Sequence, residues 1–290
     1  MLTTGNLAVL NVISYNEDMM SRCIGLGMLL MLSVACNEHE GYDAYRERTA
    51  QYGNRHLQNE QGLFHQRKGE HALSLRWYIA AGTPTNHIVK PKETAVDVVS
   101  RYTVFLKVIK NDPGNQSVDF DNLKADDKII IPGLPTAMYN AGATYEKHYQ
   151  KLGMEDEQQA LREAVKWYKL GAEGGLELAQ FSYGYALEFG LGGVTKDLKE
   201  AGNWYEQSAK QGLSMAQENF ANLHFNGFGD PAKRDYPNAY LWYSIAAKTI
   251  IAKGREPSKD LNNAIRACRR FLKKDESSRV DRLAAAFKPR

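Results

Sequence analysis

Residues 167–192 read WYKLGAEGGLELAQFSYGYALEFGLG, and residues 204–229 read WYEQSAKQGLSMAQENFANLHFNGFG. Laid one on the other, the stretches match in type at fixed places. Trp167-Tyr168 answers Trp204-Tyr205, and Ala179-Gln180 answers Ala216-Gln217 twelve residues on. The small residues Gly184 and Ala221 follow at seventeen, and Gly190 and Gly192 answer Gly227 and Gly229. A third pair, Trp242-Tyr243, extends the series with spacings of 37 and 38 residues. A period of this length marks an array in which each unit is one supersecondary element. The unit reads as a helix carrying Trp-Tyr, a turn at Gly175 or Gly212, a second helix, and a Gly-rich connection.

Neither helix of such a hairpin buries its apolar stripe alone, so neighbours stack into a continuous core. Packing, rather than ligand stacking, is therefore the expected role of the Trp-Tyr pairs. Ala172, Ala179, Gly184, Ala209, Ala216 and Ala221 let backbones approach while the aromatic side chains fill the wider gaps. On these residues the chain resembles the Sel1-like repeat family, relatives of the tetratricopeptide repeat, over about residues 157–250. The segment from Ser277 to Arg290 resembles the closing helix often found in that family. Two departures stand out: Ile250 takes the place of the turn glycine in the third unit, and Gly193 adds a residue before Val194. The resemblance implies a mainly α fold, an αα-hairpin solenoid, with a concave protein-binding face beside the Trp-Tyr pairs.

Between Thr83 and Pro135 the pattern changes. The short β-branched runs His87-Ile88-Val89 and Ile129-Ile130-Ile131 bracket two helix-compatible stretches, Thr94 to Tyr102 and Val104 to Lys110. Thr94 is the expected N-cap of the first, with Asp97 three residues on. His87-Ile88-Val89-Lys90-Pro91-Lys92-Glu93-Thr94, with Asn122-Leu123-Lys124 and Asp126-Asp127-Lys128-Ile129-Ile130-Ile131-Pro132, resembles the lysin motif (LysM), a small βααβ module that binds N-acetylglucosamine glycans such as peptidoglycan and chitin. The resemblance places a sugar groove at Pro91, Lys92, Glu93 and Thr94, and at Asn111, Asp112 and Pro113. Lys92 and Asp126 stand where the family commonly has glycine, so both must accept turns that glycine makes easily.

Trp77-Tyr78 looks like the start of another repeat helix, and Ala137, Gly142 and Tyr145 look like its partner. From Trp77 to Gly142 is 65 residues, against 17 in the clear units. The excess is close to the length of the LysM-like segment, which suggests an insertion into an exposed inter-helix turn, where few contacts are interrupted. The expected organisation is an upstream stretch and signal at 1–35, a tether and N-terminal helices at 36–71, a first repeat split between 72–83 and 135–156, the LysM-like module at 84–134, and repeats with C-terminal capping helices at 157–290.

An apolar run from Ile24 to Ala35 follows Arg22 and stops at Cys36. Its length falls short of a membrane span, and by itself it reads as a secretory signal or a buried helix. Leu32-Ser33-Val34-Ala35-Cys36 resembles the lipobox of bacterial lipoproteins, which implies acylation of Cys36 and a membrane anchor worth about 0.8 kcal/mol per buried methylene. Asn37, rather than Asp, follows the cysteine. That resemblance implies an outer-membrane lipoprotein facing the periplasm. Glu17 and Asp18 directly precede the signal, where positive charge is expected, so Met19 or Met20 is the expected start.

The chain has 43% apolar residues and net charge +3, a composition of folded rather than disordered proteins. From Ala252 onward twelve Lys or Arg face five Asp or Glu. That excess reads as the solvated face of capping helices rather than a site for nucleic acid or acidic lipid. None of the seven histidines has a metal-site spacing, and no nucleophile elbow, P-loop or dinucleotide fingerprint occurs. Cys268, on an expected helix, has no base beside it in sequence and reads as a buried structural residue. The expectation is a binding scaffold without catalytic residues, cofactor or metal. Its expected partners are peptidoglycan or a related glycan, an envelope protein and, through the lipid, a membrane. The alternative is an assembly or regulatory factor for an envelope machine or cell-wall enzyme, in which the module binds no glycan.

Overall fold

The computed structural model describes residues 54–91, 93–95, 98, 109, 115–121 and 123–289. The expected lipidation site Cys36 and the expected glycan contacts Lys92, Asn111, Asp112 and Pro113 lie outside the described residues. Helices dominate: α1 (Arg55–Arg67), α2 (His71–Gly82), α3 (Pro135–His148), α4 (Glu157–Glu173), α5 (Glu177–Phe189), α6 (Leu198–Lys210), α7 (Ser214–Asn226), α8 (Tyr236–Ala252), α9 (Lys259–Arg269) and α10 (Lys274–Ala286). Two strands, β1 (Thr85–Ile88) and β2 (Lys128–Ile131), fall between α2 and α3.

The Trp-Tyr helices begin alike. Asp156, Asp197 and Asp235 each accept a backbone N–H from the first turn of α4, α6 and α8, satisfying donors that a helix start leaves open. Gly175 and Gly212, at φ +87° and +92°, make the turns that follow α4 and α6. After α8 the corresponding glycine is Gly254, at φ +71°, because the helix runs past Ile250 to Ala252. The departure at Ile250 is thus one extra helical turn, not a lost turn glycine.

From α1 to α9 consecutive helices pack in sequence order, α10 returns onto α8, and the buried stripes of α4 through α8 merge with Leu261, Cys268, Val280 and Ala284 of α9 and α10 into one core. The two last helices both pack on α8, the final one starting at Lys274, three residues ahead of Ser277. Cys268 is fully buried, and burial pushes its thiol up to about 12, far from a reactive thiolate.

The chain between α2 and α3 has a core of its own, made from Val89, Val98, Ile109, Phe120, Ile129 and Ile131. Its strands pair antiparallel, with Thr85 opposite Ile131 and Ile88 opposite Lys128. β1 covers Thr85–Ile88, three residues ahead of the Ile88-Val89 strand expected from β-branching, because the pairing register continues back to the neck. Val89 still bonds across, through Asp127 O at 2.9 Å. Of the two helices expected between the strands, only Ala95, Val98 and Ile109 are described with helical backbone, so a two-stranded sheet is what stands. Val98 N donates to Thr94 O at 3.2 Å, which is a first helical bond from the expected cap.

At the neck, α2 and α3 meet. Leu134 N donates to Ala81 O at 2.9 Å, and a Cβ on Gly133 would stand 1.7 Å from Gly82 O, so only glycine fits. Arg55 sits buried at the same point. Its guanidinium donates to Ala80 O and Ala81 O, both at 3.0 Å, to Thr85 Oγ1 at 2.8 Å and to Ile131 O at 3.2 Å. One side chain from α1 therefore joins the end of α2 to both strands.

Candidate partner-binding face and inserted module

The second Trp-Tyr residue explains the small residue of the other helix. Cβ atoms added at Gly142 and Gly184 would stand 2.7 Å and 3.0 Å from the rings of Tyr168 and Tyr205. One turn further along, each tyrosine hydroxyl donates to a carboxylate: Tyr168 to Glu146, and Tyr205 to Glu188 at 2.7 Å. Burial, reinforced by those carboxylates, pushes both hydroxyls far above the ordinary tyrosine value, so they stay protonated and keep donating, and the Tyr205 hydroxyl also accepts from Asn219 Nδ2 at 3.2 Å. In the last hairpin Tyr243 donates to Asn222. The Ala-Gln pair has its own task. Gln180 and Gln217 are buried, and their amides donate to Ala172 O at 3.4 Å and Ala209 O at 3.0 Å, satisfying carbonyls near the ends of α4 and α6.

The same geometry joins α2, expected from Trp77-Tyr78 as the first half of a split repeat, to α1, expected only as one of the N-terminal helices that follow a tether. A Cβ on Gly62 would stand 2.3 Å from the Tyr78 ring, and Tyr78 donates to Gln66 Oε1 at 2.6 Å. α1 and α2 thus repeat the packing of α3 with α4 and α5 with α6.

An open groove of about 350 Å³ lies where α3, α4 and α5 meet, lined by Tyr139, Glu146, Leu161, Tyr168, Phe181 and Tyr185 among others. Along α5, Phe181, Tyr185 and Phe189 form a ladder with ring centroids 6.4 Å and 4.6 Å apart. Tyr185 is 43% exposed and Phe189 52%, large values for aromatic side chains that contact one another. The expected binding face lay beside the Trp-Tyr pairs. Among the described residues of the repeat helices the exposed aromatics, Tyr185 and Phe189, lie on α5, which carries no Trp-Tyr pair, and their spacing of four was a signal in the sequence that packing arguments did not use.

Charge is segregated in the same way. α5 and α7 carry Glu177, Glu188 and Glu218 and no Lys or Arg, whereas α4 and α6 carry both signs. Glu218 occupies in α7 the place of Tyr139 in α3 and Phe181 in α5, three residues before the small residue. It is partly buried, and that burial raises its carboxyl.

In the inserted segment, Pro91 and Thr94 are exposed. Glu93, expected as a glycan contact, has its side chain only 5% exposed and lies 2.8 Å from His87 Nε2, with Lys90 N donating to it at 2.9 Å. It holds the loop together from inside. Asn115, which sequence reasoning missed, is buried and exchanges bonds with Ile130, donating to its carbonyl and accepting from its N–H, both at 2.7 Å. Asp126 adopts φ +71°, the left-handed turn expected at a position where glycine is usual, and Asp is among the residues that tolerate it.

Among the described residues no group of three or more His, Cys, Asp or Glu side chains is placed to hold a metal ion, and no helix is long and apolar enough to cross a membrane.

The Sel1 repeat family matches residues 135–176, 178–213 and 214–248, that is, α3 with α4, α5 with α6, and α7 with most of α8. Its frame opens each unit with the helix that carries the small residue Gly142, Gly184 or Ala221 and closes it with the Trp-Tyr helix, half a unit out of phase with the frame read from tryptophan spacing. No curated protein matches the chain. Solved structures similar to it include a protective antigen present in uropathogenic Escherichia coli strains, displaying an SLR fold, at 21% identity and TM-score 0.44, covering 86% of this chain and 49% of that one. Another is a Sel1 repeat protein from Oxalobacter formigenes, at 26% identity and TM-score 0.34, covering 50% of this chain and 49% of that one. The chain thus spans about half the length of each. Residues 135–248 are Sel1 repeats in a mainly helical, solenoid-like array, an architecture suited to protein–protein interaction.

Proposed function

We propose that the protein is a non-catalytic scaffold of the bacterial envelope. In this reading its Sel1 array holds a protein partner, its inserted segment binds an N-acetylglucosamine glycan such as peptidoglycan, and acylated Cys36 anchors it in the outer membrane facing the periplasm. The observation that carries the reading is the joint at Arg55, which ties α2, cored with α3, to both strands of a segment with a core of its own and so favours a fixed attitude between them. A fixed attitude suits a part that positions one ligand relative to another. The organisation proposed with it is a LysM-like module, 84–134, inserted at a hairpin turn. Supporting this are the packing of α2 on α3 across the neck, the antiparallel strand pair, and the glycine-like turn at Asp126.

Cosedimentation with peptidoglycan sacculi tests the glycan half. Residues 37–290 are expected to pellet with sacculi, and the same chain lacking 84–134 is expected to stay in the supernatant. Equal behaviour of the two would end the glycan reading. A second reading, an assembly or regulatory factor whose inserted segment binds no glycan, is favoured by one observation. Glu93, part of the expected sugar loop, is committed to His87 and Lys90 inside the fold.

A further inference from the structure

We infer that the face built from α3, α5 and α7 binds a segment of a partner protein in which Lys or Arg alternates with apolar residues. The inference rests on the scaffold reading of the array and adds the chemistry of the partner. Its first ground is apolar: the ladder Phe181, Tyr185 and Phe189 spans eight residues, about 12 Å along the helix axis, the reach of roughly four residues of extended peptide. Exposed aromatic side chains held by neighbours are the usual anchors of protein contacts, because little conformational freedom is lost when they are covered.

The second ground is charge. Glu146 and Glu188 recur at the same place in successive hairpins, each fixed through one oxygen by a buried tyrosine hydroxyl. Their carboxylates are therefore set in position before any ligand arrives, with Lys147 the one cation lining the groove. Glu218 adds a carboxylate on α7, at the place of Phe181 and not of Glu188. It is half-buried, and among the described residues no Lys or Arg lies within ion-pair distance of it. A desolvated carboxylate without a counterion gains when a cation is brought to it. The rest of the chain points the same way: the surplus of Lys and Arg sits in the C-terminal segment, so an acidic partner would be drawn there and not to this face.

The test is selection from a displayed library of random dodecapeptides against the whole protein, followed by affinity measurement on variants. Recovered peptides are expected to carry Lys or Arg between apolar residues. Their affinity is expected to fall at least about tenfold with Tyr185→Lys or Phe189→Ala, exposed positions whose change leaves the fold intact, and to weaken as salt rises. Leu170→Lys, an exposed position on α4, is expected to leave affinity unchanged. Recovery of acidic peptides, or of peptides sensitive to Leu170→Lys and not to Tyr185→Lys, overturns the inference while the scaffold reading stands. Recovery of no binder at all counts against both. Concentration-dependent self-association abolished by Tyr185→Lys also overturns it, by making the occupant a second copy of the chain.

Discussion

Gly62 lacks a side chain at the place where the ring of Tyr78 lies, and a Cβ there would stand 2.3 Å from Tyr78 Cε1. The same relation joins Gly142 to Tyr168 at 2.7 Å and Gly184 to Tyr205 at 3.0 Å, so the clearance widens along the array. Alanine at these sites adds helix propensity of up to about 1 kcal/mol, and overpacking costs about 1–3 kcal/mol. Gly62→Ala is expected to lower stability by about 2 kcal/mol, Gly142→Ala by less, and Gly184→Ala by little or nothing. Ala221, the native residue at the next equivalent site, shows that the arrangement admits a methyl where the ring can give. Urea midpoints of the three variants check the order, and a neutral Gly62→Ala would remove α1 and α2 from the series.

Arg55 bonds to α2 and to both strands at the neck, so its loss acts on two bodies at once. Lysine keeps the charge but not the planar fork that reaches four acceptors. With hydrogen bonds from a charged donor worth about 1.5–3 kcal/mol each, Arg55→Lys is expected to destabilise by at least about 2 kcal/mol. Limited proteolysis adds a local readout: cleavage between residues 83 and 134 is expected to accelerate in the variant before cleavage within 157–252 does. Uniform acceleration would mean that Arg55 stabilises the chain globally and does not act as a joint.

Much of this fold was legible because packing imposes spacing. Trp167 and Trp204, Gln180 and Gln217, and Gly184 and Ala221 serve the same contacts in successive hairpins, and equal contacts require equal intervals. The hairpin of Gly62 and Tyr78 escaped because only Lys68, Gly69 and Glu70 separate its helices, shortening the interval to tryptophan, and because no Ala-Gln pair marks it. Arg55 gives no sequence signal, since its four acceptors include residues 25 to 76 positions away. The face carried by Tyr185 and Phe189 was illegible for a different reason. Repeats constrain what they bury, whereas a surface for one partner is free to differ from unit to unit.

Glu218 links stability to the proposed binding face. Burial raises its carboxyl above the ordinary value of 4.5, so the unfolded chain ionises more readily than the folded one. The native contribution of this group is complete below that value and lost as pH rises through the raised one. Glu218→Gln is therefore expected to raise the urea midpoint at pH 7 and to change it little at pH 4, while weakening capture of basic peptides. An unchanged midpoint at pH 7 would show that solvent reaches the carboxylate freely.

The junction of α2 with the end of α3 carries the strongest expected dependence on acid. The rings of His71 and His148 stack with centroids 3.8 Å apart, and Lys151 Nζ lies 3.5 Å from His71 Nε2. Desolvation and Lys151 lower His71. Desolvation lowers His148, together with His71, Lys151 and Lys147. Both groups thus protonate more easily in the unfolded chain, whose imidazoles titrate near 6.5. Their contribution to stability is full above that value and disappears as pH falls through the lowered values, because two imidazolium rings in contact repel each other and the lysines. His71 also stands at the first position of α2, where the positive end of the helix opposes a further charge. Stability measured from pH 7.5 to pH 5 is expected to decline in the native chain and to flatten in His148→Gln, which removes one of the two titrating rings. A parallel decline in both would assign the acid sensitivity elsewhere.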